Sequence, residues 1–133
     1  MSTTLAMINL DGPDPRAQAT FYGALLGWDV VHAEDEYAMI SGEGAPIGFG
    51  RVPGWVAPPW PDPEGAKRYH LDLAVDDLDA AIDRARELGA SLPDDQPGER
   101  WRVLLDPVGH PFCLCRNRGV VWTDDGPVWP QRD

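Results

Sequence analysis

The chain has 133 residues, of which 43% are hydrophobic. That is enough for one compact domain with a real core, and it sets intrinsic disorder aside. Acidic residues outnumber basic ones 22 to 11, for a formal net charge of −11. This balance excludes a nucleic-acid surface built on clustered Lys and Arg, and it fits an acidic protein held in solution by its charge. No apolar run approaches the roughly 20 residues of a membrane span. The start of the chain lacks the basic and then apolar pattern of a secretory signal. The two cysteines, Cys113 and Cys115, stand two residues apart, where a disulfide within one strand would be strained. A reducing cytoplasm is the expected setting, with no nucleic-acid or membrane partner.

In chain order, residues 7–11 read as a short strand ending in Asp11. A helix is predicted from Asp14 to Leu26: Asp14 is an N-cap residue, Pro15 suits the first helical position, and Gly27 suits a left-handed stop. Ala17, Phe21, Ala24 and Leu25 recur at helical spacing and form its expected apolar face. Three strands follow, near 28–32, 37–41 and 46–52, with turn residues at 41–44. Residues 53–67 hold five prolines, at 53, 58, 59, 61 and 63. Proline fixes φ and removes a donor, so this is an extended connector. It carries Trp55 and Trp60, which are expected to pack on protein or on a ligand.

The pattern then repeats. His70-Leu71-Asp72-Leu73-Ala74-Val75 is a strand, and 77–88 is a helix with Asp77 as cap, Gly89 as stop and a stripe of Leu78, Ala81, Ile82, Ala85 and Leu88. Strands are predicted near 90–92, 101–105 and 112–116. The whole reads as a single domain over 1–133: module 1 at about 5–52, linker 53–67, module 2 at about 68–116, and a tail from 117 to 133. Within the tail, residues 120–122 form a short edge strand or an arm onto a neighbour.

Three segments carry a family likeness. Phe21-Tyr22-Gly23-Ala24-Leu25-Leu26-Gly27-Trp28, His70-Leu71-Asp72-Leu73-Ala74-Val75-Asp76-Asp77-Leu78 and Asp106-Pro107-Val108-Gly109-His110-Pro111-Phe112-Cys113-Leu114 together resemble the vicinal oxygen chelate superfamily. This superfamily comprises glyoxalases, bleomycin-resistance proteins and dioxygenases, and the nearest likeness is to its glyoxalase-like subgroup. The resemblance implies an α+β fold of two βαβββ modules. Their curved mixed sheets would surround a cleft, and the protein would be a homodimer.

In metal-using members a divalent cation sits in that cleft, on side chains of the first and last strands of each module. Transferred residue by residue, those positions fall on Met7, His70, Cys113 and the stretch 46–52. That stretch has no His, Asp, Glu or Cys. A thioether is a poor partner for hard ions. The resemblance therefore implies a degenerate metal site in which His70 is the one usual ligand, and no cofactor is assigned beyond a divalent metal at an altered site.

Strand alternation sets Met7, Asn9 and Asp11 on one face, His70 and Asp72 on a second, and Cys113 with Cys115 on a third. Each has a plain reading beside the functional one. His70 is either a hydrogen-bonded structural residue or a catalytic one oriented by Asp72. Asp11 either bonds the next turn or faces the cleft. Cys113 is a small buried apolar residue or a ligand contact. His32 and His110 have turn or surface roles. Two functions compete. One is binding of a small hydrophobic or aromatic molecule in a cleft lined by Met7, Asn9, Asp11, Phe49, Trp55, Trp101 and Cys113. The other is a lyase, isomerase or dioxygenase-type enzyme using His70 and Asp72 for metal binding or acid–base chemistry.

Overall fold

The computed structural model describes residues 5–61, 70–98, 101–116, 121–124 and 126–128. Strand β1 (Ile8–Asn9) leads into helix α1 (Pro15–Leu26), followed by β2 (Asp29–Ala33), β3 (Tyr37–Ser41) and β4 (Ile47–Gly50). The second half has β5 (Asp72–Val75), helix α2 (Leu78–Glu87), β6 (Trp101–Leu105) and β7 (Pro111–Arg116), and a hairpin of β8 (Val121–Thr123) and β9 (Gly126–Val128) follows. The first sheet has the order β1-β4-β3-β2 and the second β5-β7-β6. In each half the strand before the helix runs parallel to the last strand, β1 beside β4 and β5 beside β7. A parallel pair requires a crossover, and the helix supplies it.

Both helices form where their ends are chemically satisfied. The Asp14 carboxylate accepts from the Ala17 N–H at 3.1 Å, Pro15 fills the first helical position, and Gly27 closes the helix at φ 70°. Asp77 caps α2 in the same way through the Ala80 N–H at 3.1 Å. Asp79 in its first turn and Arg84 and Arg86 in its last complement the helix dipole.

The face that α1 buries differs from the expected stripe. Gln18, Ala19, Phe21, Tyr22 and Gly23 are buried, whereas Ala17 and Ala24 are exposed. Two alanines carry too little apolar area to outbid Tyr22 and Phe21, which set the rotation of the helix. Gln18 enters the interior because its Nε2 donates to the Leu10 carbonyl at 3.1 Å. Its amide fills the space above Gly12, where a Cβ would lie 2.4 Å from Oε1.

The strand predicted near 90–92 is reduced to a single bridge, Ser91 with Leu105. Pro93 cannot continue the ladder. The Gln96 side chain takes over the pairing: its Nε2 donates to the Val103 carbonyl and its Oε1 accepts from the Val103 N–H, both at 2.9 Å. An amide has the donor–acceptor pattern of a peptide group, so one side chain stands in for a strand at this edge. Part of the predicted connector, residues 62–67, lies outside the described residues, as does most of the tail. Of the tail strand predicted at 120–122, positions 121 and 122 fall within β8.

One apolar cluster joins the halves. It takes Ala38, Ile40, Ile47 and Phe49 from the first sheet, Leu104, Phe112 and Leu114 from the second, Phe21 and Tyr22 from α1, and Leu78, Ile82 and Ala85 from α2. Tyr22 stacks on Phe49 at 5.8 Å between centroids and meets Phe112 edge-on at 6.0 Å. Its hydroxyl donates to Oδ2 of Asp106 at 2.7 Å. Oδ1 of Asp106 accepts from the N–H groups of Val108 and His110, at 3.0 and 2.9 Å. Asp106 is only 3% exposed, so these three donors replace water around its charge.

Burial, reinforced by the Asp106 charge and the hydrogen bond to it, holds the Tyr22 hydroxyl well above its ordinary pKa. Below about pH 10 both the folded and unfolded states keep this proton. Above that, the unfolded chain releases it while the folded protein retains it, so rising pH favours unfolding. Tyr22→Phe leaves Oδ2 without its donor and is expected to cost about 1–3 kcal/mol. Urea unfolding at several pH values checks both points. Wild type should lose stability above pH 10 by up to about 1.4 kcal/mol per unit more than Tyr22→Phe.

Candidate functional site

Each sheet has one face against the shared core and one bare of helices; on the second sheet that outer face still buries Val103 and Cys113. On the first sheet the bare face carries Met7, Asn9 and Asp11. It also carries Tyr37 and Met39 of β3 and the two glycines of β4, since Asn9 and Met39 are both partners of Gly48. Asn9 and Tyr37 converge over Gly48: a Cβ there would lie 2.4 Å from Asn9 Oδ1 and 2.5 Å from the Tyr37 hydroxyl. That hydroxyl donates to Met7 Sδ at 3.2 Å, and the His32 ring lies 5.7 Å from the Tyr37 ring. Asp11 is tied to its own sheet, with Oδ1 accepting from the Gly50 N–H at 3.1 Å. Sequence reasoning missed Tyr37. Its alternation with Met39 and Ser41 opposite two glycines is the signal that marks it.

On the second sheet, Asp72 is the registered partner of Cys113, and Cys113 is that of Val103; Cys115 pairs with both Ala74 and Trp101. Registered partners share a face, so Asp72, Cys113, Val103, Cys115 and Trp101 stand on one side of this sheet. His70, two residues before Asp72, joins them. Its Nε2 lies 3.1 Å from Asp72 Oδ1, with 27% of the imidazole and 57% of the carboxylate side chain exposed. Cys113 is 2% exposed and Trp101 37%. The Trp101 ring lies over Gly98, where a Cβ would come within 2.5 Å of it.

Asp72 Oδ1 faces one ring nitrogen of His70 and leaves the other turned away from the pair. The pair shares its face of the sheet with Trp101, which stands two strands away and, by register, level with Ala74.

The other expected residues lie elsewhere. Phe49 was expected to line the ligand cleft, but it is fully buried against Tyr22 on the core side of β4. The pleat explains the difference: Gly48 and Gly50 take the bare face, so Phe49 between them must point inward. Trp55 is half-buried, meets the His110 ring at a tilt with centroids 4.7 Å apart and donates from its indole N–H to the Val108 carbonyl at 3.0 Å. Trp60 donates to the Asp95 carbonyl at 3.4 Å. His110 Nε2 lies 2.8 Å from the Asp11 carbonyl oxygen, so this histidine ties its turn to the first half.

The four metal-ligand positions implied by the resemblance do not make a site for a divalent ion. Met7 is engaged by Tyr37, and residues 46–52 supply no donor side chain. A different set does fit: His70, Asp72 and Cys113 each offer one ligand atom, and these atoms all lie within 4.8 Å of one another. Among the described residues this is the group of three His, Cys, Asp or Glu side chains close enough to hold an ion, and Asp11 is not part of it.

A family model described as a glyoxalase-like domain matches residues 7–115. Among solved structures, a glyoxalase-related enzyme from Fulvimarina pelagi is similar over 98% of this chain and 100% of its own, with 22% identity and a TM-score of 0.69. A glyoxalase/bleomycin resistance protein/dioxygenase family enzyme from Burkholderia phytofirmans PsJN is similar over 86% of this chain and 98% of its own, at 18% identity and a TM-score of 0.66. The fosfomycin resistance protein FosX from Listeria monocytogenes is similar over 87% of this chain and 94% of its own, at 15% identity and a TM-score of 0.64. Among curated proteins, none matches. At these identities the solved structures establish the fold alone.

The close packing over Gly48 generates a prediction. Gly48→Ala must displace Asn9 and Tyr37, at a cost of about 1–3 kcal/mol. Chemical denaturation should show the loss, and the Tyr37 ring resonances should shift more than those of Trp101.

Proposed function

Because the chain belongs to the glyoxalase-like domain family, we propose that it binds a small, largely aromatic molecule on the bare face of its second sheet. One observation carries this reading: the His70–Asp72 pair, 3.1 Å apart, shares a face with the exposed Trp101. A flat apolar ligand gains by covering the indole, and aromatic pairs contribute about 0.5–1.5 kcal/mol beyond area burial. The unprotonated nitrogen of neutral His70 accepts a hydrogen bond from a ligand hydroxyl or amide, and the protonated ring favours an anion. Met7, Asn9 and Tyr37 on the first sheet provide a second surface of similar chemistry, thioether and aromatic with one amide. A homodimer belongs to the same proposal, since a second copy over a bare face would enclose a ligand that one open sheet leaves half solvated. Light scattering measures that mass directly.

The binding reading is tested by a thermal-shift screen of small phenols and aromatic carboxylates, run with a chelator present. A hit should raise the melting temperature in proportion to the logarithm of its concentration. Trp101→Ala should weaken that hit about 5- to 20-fold. His70→Ala should weaken hits with a polar end more than hits without one. If both variants bind every hit as tightly as wild type, the ligand sits elsewhere.

A second reading is acid–base chemistry on the bound molecule, and the 3.1 Å His70–Asp72 contact supports it. The carboxylate holds the ring in place, as a positioned general base requires. Asp72→Asn should then lower turnover of any substrate found by 10-fold or more while leaving its binding within 3-fold. Steady-state and equilibrium measurements on that variant separate the two effects.

A further inference from the structure

We propose that His70, Asp72 and Cys113 form a metal site of the zinc class, built within the second half of the chain and containing a thiolate ligand. The inference rests on the binding reading, because it concerns the same face of the second sheet, and it adds what would sit at the polar end of the ligand.

The three donors come from two neighbouring strands. Asp72 and Cys113 are registered partners of the parallel β5–β7 pair, so both side chains leave the sheet on one side. His70 reaches the same point from just before β5, and the three ligand atoms lie within 4.8 Å of one another. The set is one imidazole, one carboxylate and one thiol. Two of its donors, His70 and Cys113, stand at positions that the resemblance implies; the set differs in taking no donor from the first sheet and in including Asp72.

The chemistry of that set selects the metal. Magnesium, calcium and manganese favour oxygen ligands, and a thiolate forfeits most of their affinity. Zinc accepts nitrogen, oxygen and sulfur together, and three protein ligands leave its fourth position open. The burial of Cys113 against the exposure of Asp72 orders the site, with sulfur at its floor and the carboxylate at its rim.

Protons balance simply. Cys113 binds as the thiolate and releases its thiol proton to solvent. His70 binds as the neutral imidazole through one ring nitrogen and keeps its proton on the other, with no net change. Binding therefore releases one proton and strengthens as pH rises through neutrality.

The test uses the full chain, stripped with chelator, and cobalt(II) as a spectroscopic probe. One equivalent should produce a saturable thiolate-to-cobalt charge-transfer band in the near ultraviolet, with the intense visible bands of a four-coordinate ion. Zinc at equal concentration should remove both, whereas a 100-fold excess of magnesium should remove neither. Cys113→Ala should abolish the charge-transfer band, and Cys115→Ala should keep it. Asp72→Asn and His70→Ala should each weaken cobalt binding at least 10-fold. Circular dichroism confirms that each variant folds. Zinc-dependent release of one proton per wild-type chain needs no variant at all.

No saturable band in wild type, survival of the band in folded Cys113→Ala, or equal competition by magnesium would overturn the site. The organic-ligand screen contains chelator, so the two readings fail separately. Loss of the cobalt signal with intact ligand stabilisation removes the metal alone. Loss of both removes the face as a binding surface.

Discussion

The fold depends on one buried carboxylate. Asp106 sits at the head of the β6–β7 turn with its charge out of water, and three donors satisfy it: two N–H groups of its own turn and the hydroxyl of Tyr22 from the other half. The first two shape the hairpin that carries Cys113. The third crosses between the halves and fixes Tyr22 where its ring can touch both Phe49 and Phe112. A buried charge so expensive to desolvate is tolerable only when all its partners are present, so the turn, the helix and the two sheets must form together.

That arrangement decides which surfaces are left over. Both sheets give their helix-covered faces to one cluster, so the opposite faces lack an apolar cover from α1 or α2. Antiparallel sheets commonly leave such a face to water, with polar side chains along it. Here the two bare faces carry thioether, phenol, imidazole, indole and thiol side chains rather than the usual Lys, Glu and Thr. Part-exposed aromatic and thioether groups on such faces are costly to leave solvated, which is why these faces read as binding surfaces. The acidic net charge of −11 fits a small-molecule ligand better than a polyanion.

Local chemistry carried most of the fold in the sequence. Asp14, Pro15 and Gly27 bound α1, and Asp77 bounds α2, because capping involves only neighbours in the chain. The repeat of strand, helix and strands was legible for the same reason. What escaped was set by long-range competition. The rotation of α1 depends on Phe112 and Asp106, more than 80 residues away, which no helical period encodes. Gln96 replaces a strand by side-chain pairing, an event invisible to strand propensity. Within the candidate site, alternation correctly placed His70 with Asp72 and Met7 with Asn9, since the period of two is local. It did not unite Asp72 with Cys113, because that requires the register of a parallel pair separated by about 40 residues of chain. It misplaced Phe49, where the two flanking glycines should have claimed the bare face.

The central claim is that the His70 face of the second sheet, rather than the helix side, receives the ligand. The helix side offers its own apolar groove of about 360 Å³, between Ala17, Phe21 and Ala24 of α1 and Leu88, Gly89 and Pro107. Amide and indole chemical-shift mapping by NMR during titration with an aromatic ligand compares the two sides in one experiment. The account predicts that the largest shifts fall on residues 70–74, 113 and 115 and on the Trp101 indole. Shifts confined to Ala17, Ala24, Leu88 and Gly89 would contradict it.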